Sequence, residues 1–107
     1  MQTIFRNIGQ NRGKPRLWIE GKALVTAGLD HGNRWNLNPT PGGFDIVRDT
    51  DGKRKIAGKP GRPIIDIAGA SLGDVAAVER VSITFEPGAG HMAVRSAAGS
   101  NLAEVAQ

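Results

Sequence analysis

The chain of 107 residues predicts a mainly β domain with short helices, built from two β-α-β-β repeats that share one core. Three observations carry this. Fifteen glycines and six prolines are too many for a helical bundle and suit short strands joined by turns. A shift of 48 positions superposes the sequence on itself. In addition, several segments alternate polar and apolar residues with the period of two that marks a half-buried strand.

Under the 48-residue shift, Arg6 falls on Arg54, Ile8 on Ile56, Gly13 on Gly61, Lys14 on Arg62 and Pro15 on Pro63. Leu17 then meets Ile65, Ile19 meets Ile67, Gly21 meets Gly69 and Leu24 meets Leu72. The same register matches Trp35 with Ile83, Leu37 with Phe85 and Pro39 with Pro87; one residue is then lost, so that Gly43 matches Gly90, Val47 Val94 and Arg48 Arg95. Repeat one therefore spans about 6–48 and repeat two about 54–95, within one domain over 1–95. Residues 96–107, small and alanine-rich, read as a flexible or frayed tail.

Each repeat reads the same way. A basic Gly/Pro segment precedes a strand, Pro15–Glu20 or Pro63–Ile67, and a brief helical turn follows, Lys22–Ala27 or Ser71–Ala77. Gly28 suits the left-handed position that ends the first of these. A hairpin closes the unit: Arg34–Asn38 and Val81–Phe85 lead out, while Phe44–Ile46 and Met92–Val94 return through turns rich in Pro and Gly. Roughly 45 residues cannot bury an apolar stripe alone, so the two copies are expected to complete one barrel or sandwich. Asp49–Gly52 reads as a turn at the junction. Its D-x-D-G pattern lacks the closing glutamate of a calcium loop.

Net charge is +4, with nine of the 14 basic residues in two windows that contain no acid. The first holds Arg6, Arg12, Lys14 and Arg16, and the second Lys53, Arg54, Lys55, Lys59 and Arg62. Surfaces normally intersperse charges of both signs, so this segregation predicts two concentrated positive patches for an anionic partner. Arginine can grip phosphate bidentately or read guanine, and Asn7, Gln10 and Asn11 are of the residue type that pairs with adenine. Arg34, Arg48, Arg80 and Arg95 read as strand-face or hairpin residues. Trp35 is expected in the core and Trp18 at the surface.

Catalysis finds no support in the sequence, and neither a cofactor nor a metal is expected. The two histidines, His31 and His91, stand beside glycines and do not match under the repeat. Gly9–Lys14 has too few residues between its glycines for a phosphate loop. There is no nucleophile motif and no cysteine. No run approaches the roughly 20 apolar residues of a membrane span, and with no signal-like N-terminus the expected compartment is the cytoplasm.

The order P-x-[LI]-x-[IL]-x-G in Pro15–Gly21, followed by Ala27-Gly28-Leu29 and His31-Gly32-Asn33-Arg34-Trp35-Asn36-Leu37, resembles the AbrB/MazE/SymE superfamily, and its SymE-type version most closely. Arg6–Gly21 is also similar to a module found with DNA cytosine methyltransferases. The resemblance implies a swapped-hairpin β-barrel, here a pseudo-dimer within one chain, and DNA binding through basic residues near the first strand. Repeat two departs from it where Ala76-Ala77-Val78 replaces the helix stop.

The expectation is thus a duplex DNA-binding module: a transcriptional regulator, an antitoxin-like repressor or an accessory to a DNA-modifying enzyme. It would act as a monomeric pseudo-dimer or a homodimer. Two alternatives stand beside it. One is a phage or mobile-element module that binds a host protein complex, and the other is a SymE-like toxin acting on RNA or DNA.

Overall fold

Ten strands and two short helical segments make up the structure, a computed structural model that describes residues 1–97. Repeat one contributes β1 (Gln2–Asn7), β2 (Gly9–Asn11), β3 (Lys14–Glu20), α1 (Lys22–Thr26), β4 (Arg34–Thr40) and β5 (Gly43–Arg48). Repeat two contributes β6 (Arg54–Lys55), β7 (Ala57–Lys59), β8 (Arg62–Ala68), a 3-10 segment (Gly69–Val75), β9 (Arg80–Phe85) and β10 (His91–Ser96). Among the described residues no helix is long and apolar enough to cross a membrane.

The strands form two open antiparallel sheets rather than one closed barrel. One has the order β1-β9-β10-β5-β4-β6, the other β2-β3-β8-β7. Neither order follows the chain. β1 of repeat one pairs with β9 of repeat two, and β6 of repeat two pairs with β4 of repeat one. Each repeat therefore lends its first strand to the other's hairpin.

A pseudo-two-fold axis follows from the registers. In the small sheet Trp18 faces Asp66, its own counterpart under the repeat, and Leu17–Ile67 and Ile19–Ile65 flank that pair. In the large sheet Asp45 faces Ala93, with Phe44–Val94 and Ile46–Met92 beside it. Pro15 and Pro63 occupy equivalent places: Pro15 lies before the β3–β8 register begins at Arg16, and Pro63 before its other end at Ile64. Neither proline's missing N–H interrupts that central ladder.

The core lies between the sheets. Leu17, Ile19, Ile65 and Ile67 point inward from the small sheet, and Trp35, Phe44, Ile46, Val81, Ile83, Phe85, Met92 and Val94 from the large one. Leu24 of α1 and Leu72 and Val75 of the 3-10 segment close it off, all fully buried. A five-residue helix has little stability of its own, so α1 depends on that burial. Gly28 follows it at φ 84°, in the expected left-handed position.

Three expectations are corrected. Each half holds a bent strand before its β-α-β-β unit, because β1 continues through Ile8 into β2 and β6 through Ile56 into β7. The second helical turn is a 3-10 segment that ends at Val75 instead of running to Ala77. The hairpins match differently as well. Leu37 pairs with Ile46 as Ile83 pairs with Val94, and Trp35 pairs with Arg54 as Val81 pairs with Arg6. Trp35 therefore corresponds to Val81 rather than Ile83, and Ile46, not Val47, to Val94. Repeat two has two fewer residues before its hairpin and a longer turn within it, so a single offset cannot align both strands.

At the other boundary, Ala97 is buried and its N–H donates to Arg80 O, so the packed structure continues past 95. The tail reading from 98 onward lies outside the described residues. Close to the axis, a Cβ on Gly43 would stand 1.9 Å from Val94 O across the β5–β10 ladder. Gly43→Ala is expected to destabilise the fold by about 2–3 kcal/mol, read as a lower denaturant midpoint at unchanged slope.

Candidate nucleic-acid interface

The later part of each basic window is a hairpin. β2 and β3 join through Arg12-Gly13, and β7 and β8 through Pro60-Gly61, two two-residue turns at equivalent places. Arg12 (φ 55°) and Gly13 (φ 78°) both have positive φ, the requirement of a type I′ turn. In the second hairpin proline precedes Gly61 at φ 78°, the pattern of a type II turn.

Arg12 is the one non-glycine with positive φ among the described residues. A side chain costs about 1 kcal/mol or more in this region, which glycine avoids, so the arginine is held there against a local preference. Arg12→Gly is expected to raise stability by about 1 kcal/mol while lowering affinity for an anionic partner. Paired denaturation and binding measurements check that opposition, which a merely structural arginine would not produce.

Alternation along the strands decides which side chains share a face. Leu17 and Ile19 point into the core, so Lys14, Arg16, Trp18 and Glu20 point outward. On β8, Arg62, Ile64 and Asp66 do the same. Cross-strand pairing brings Asn11 beside Lys14 and Lys59 beside Arg62. The outer face of the small sheet thus gathers Asn11, Lys14, Arg16, Lys59 and Arg62 from the twelve expected residues, with Arg12 in the turn that joins Asn11 to Lys14.

The basic tips lie at opposite ends of this face. Lys14 stands four residues from Trp18 along β3, and Arg62 four residues from Asp66 along β8 in the opposite direction. At about 3.3 Å per residue the two backbone positions are roughly 27 Å apart. Side chains extending beyond them bracket about one turn of B-DNA, ~34 Å.

At the centre, Arg16 makes a bidentate ion pair with Asp66: Nε donates to Oδ1 at 2.8 Å and Nη2 to Oδ2 at 2.9 Å. Its guanidinium carbon lies 4.6 Å from the centroid of the Trp18 ring, which is 40% exposed. The Asp66 hydrogen bond raises the Arg16 pKa above its ordinary value; partial burial opposes this, and the Asp66 charge adds to it. The guanidinium stays charged while its orientation is fixed.

The remaining expected residues are placed elsewhere. Arg6 and Arg54 share the inward side of the large sheet's edges with Val81 and Trp35. Arg6 donates to Phe5 O at 2.8 Å. Arg54 donates to Ser71 Oγ at 3.1 Å and lies 5.2 Å over the Trp35 ring. Asn7 and Lys55 point to the opposite side, the large sheet's outer face. Gln10 pairs with Pro15 and so faces away from Asn11 and Lys14. Lys53 and Arg54 line a cleft of about 300 Å³ against the 3-10 segment.

Arg34 donates to Gly52 O and Arg48 to Gly28 O, Arg95 pairs with Asp45, and Arg80 stacks on Phe5, as expected of strand-face and hairpin residues. Trp35 is 3% exposed and belongs to the core. Two members of the face, Trp18 and Asp66, were not among the expected contacts, although alternation between the buried Leu17 and Ile19 signals an outward Trp18. Comparison of the chain with protein-family models, with curated proteins and with solved structures gives no match.

Proposed function

We propose that the chain is a duplex DNA-binding module that uses the outer face of its four-stranded sheet. The observation that carries this reading is the arrangement of that face: two basic hairpin tips about one helical turn apart, with an exposed tryptophan and an oriented arginine between them. A face with a two-fold axis suits a duplex whose backbone has the same symmetry. Arg12, Lys14, Lys59 and Arg62 would hold phosphates, and Arg16 and Asn11 would approach base edges.

The exchange of first strands between repeats supports a kinship with swapped-hairpin proteins of the AbrB/MazE/SymE type, and the pseudo-dimeric reading with it. Roles as a transcriptional regulator, antitoxin-like repressor or accessory to a DNA-modifying enzyme belong to the same proposal. Fluorescence anisotropy at ~50 mM salt on mixed duplex DNA, single-stranded DNA and RNA tests the reading. Tightest binding is expected for the duplex; preference for single strands or for RNA sinks the duplex assignment, and no binding to any of them sinks nucleic-acid recognition altogether.

A further inference from the structure

The face keeps its two-fold axis in the backbone and loses it in the side chains. Lys14 and Arg62 match in charge, but Arg12 corresponds to Pro60, Arg16 to Ile64, Trp18 to Asp66 and Glu20 to Ala68. Resting on the duplex reading above, we propose that the face accepts DNA in one orientation only and selects a non-palindromic site, with Arg16 and Trp18 reading one half, where Arg12 and Lys14 hold phosphate, while Lys59 and Arg62 only hold phosphate on the other.

The chemistry of the two ends differs accordingly. Arg16 has five N–H donors and spends two on Asp66, which leaves three aimed from a fixed guanidinium plane. Stacking on Trp18 restricts that plane further. A guanidinium ordered before binding loses less entropy when it meets an acceptor pair such as guanine O6 and N7. Asp66 is therefore a positioning residue for the repeat-one half, donated by repeat two across the axis.

At the other end, Ile64 occupies the place of Arg16 and offers no donor. Glu20 lines the same shallow hollow as Lys59 and Arg62, where its carboxylate opposes phosphate. This end retains point charges suited to holding a backbone and lacks the planar, oriented group that distinguishes bases. A palindromic site would present the Arg16 half with its preferred bases and the Ile64 half with bases it cannot read.

The chain has no cysteine, so one introduced cysteine gives a unique attachment point. An iron chelate would be attached through Gln10→Cys beside the first tip, or through Pro60→Cys at the second. Each labelled protein would then cleave a duplex that wild type selects from a random library. The first label is expected to cut one end of the site only, and the second the other end only.

The selected sequence should lack a dyad. Asp66→Ala should reduce preference at the Arg16-facing base roughly 5- to 150-fold, the range of one bidentate base contact, with the salt dependence of binding unchanged and Asp66→Glu restoring part of the preference. Equal cutting of both ends by both labels, or a palindromic selected site, overturns the orientation and leaves duplex binding standing. A chain that binds no duplex overturns both readings, so the two failures are distinguishable.

Discussion

Replacing Arg12, Lys14, Lys59 and Arg62 together with alanine is expected to lower affinity for duplex DNA roughly ten-thousand-fold at ~50 mM salt. The figure follows from counterion release. Each neutralised phosphate contributes about 0.9 to the slope of log affinity against log salt, which makes one contact worth roughly tenfold at this concentration. None of the four makes an ion pair with a described acid. Their loss therefore leaves no buried partner unsatisfied, and surface substitutions of this kind change stability by about 0.5 kcal/mol or less.

Removing one pair at a time should cost roughly a hundredfold for Arg12→Ala/Lys14→Ala and for Lys59→Ala/Arg62→Ala before base readout is counted. Circular dichroism melts run beside the anisotropy titrations separate lost binding from lost folding. A quadruple variant that stays folded and binds duplex as tightly as wild type would remove these four residues from the interface.

The largest effect on stability is expected at Phe44. It is among the largest fully buried side chains and lies beside the pseudo-two-fold axis, opposite Val94 and Pro39. Phe44→Ala removes apolar contact and leaves a cavity where two hairpins meet, a loss of about 3–5 kcal/mol. For a domain near 100 residues this corresponds to a fall of roughly 15–30 °C in Tm.

Such a loss is a large share of an ordinary folding free energy, about 5–15 kcal/mol. Val25→Ala serves as the control, because Val25 is 38% exposed and its truncation opens no cavity. Equal melting temperatures for the two variants would contradict a shared core between the sheets.

The central strands were legible in the sequence because burial on one face imposes alternation. Leu17, Ile19, Ile65 and Ile67 have that pattern, and the structure pairs them about one axis. The edge strands were not legible. β2 and β7 are exposed along their whole length, so no apolar period marks them and their Gly-rich basic composition reads as loop.

Clustering in sequence also overstated clustering in space. Arg6 and Asn7 are neighbours in the chain and point to opposite sides of a strand, as do Arg54 and Lys55. The hairpin alignment failed for a related reason. Pro39 and Pro87, or Gly43 and Gly90, resemble each other because turns demand those residue types, whereas register is set by the pairs Leu37–Ile46 and Ile83–Val94. The Arg16–Asp66 pair, 50 residues apart in sequence, became visible only once β3 and β8 were paired.

Salt dependence tests the central claim most directly. Four phosphate contacts predict a slope of about −3.6 for log association constant against log salt with duplex DNA, or roughly a 150-fold loss of affinity between ~50 and ~200 mM. Wild type should fall steeply along this line, and the quadruple variant should lie far below it with a slope near zero. Wild-type binding that is absent at ~50 mM, or unchanged across the range, would contradict a face built to hold the DNA backbone.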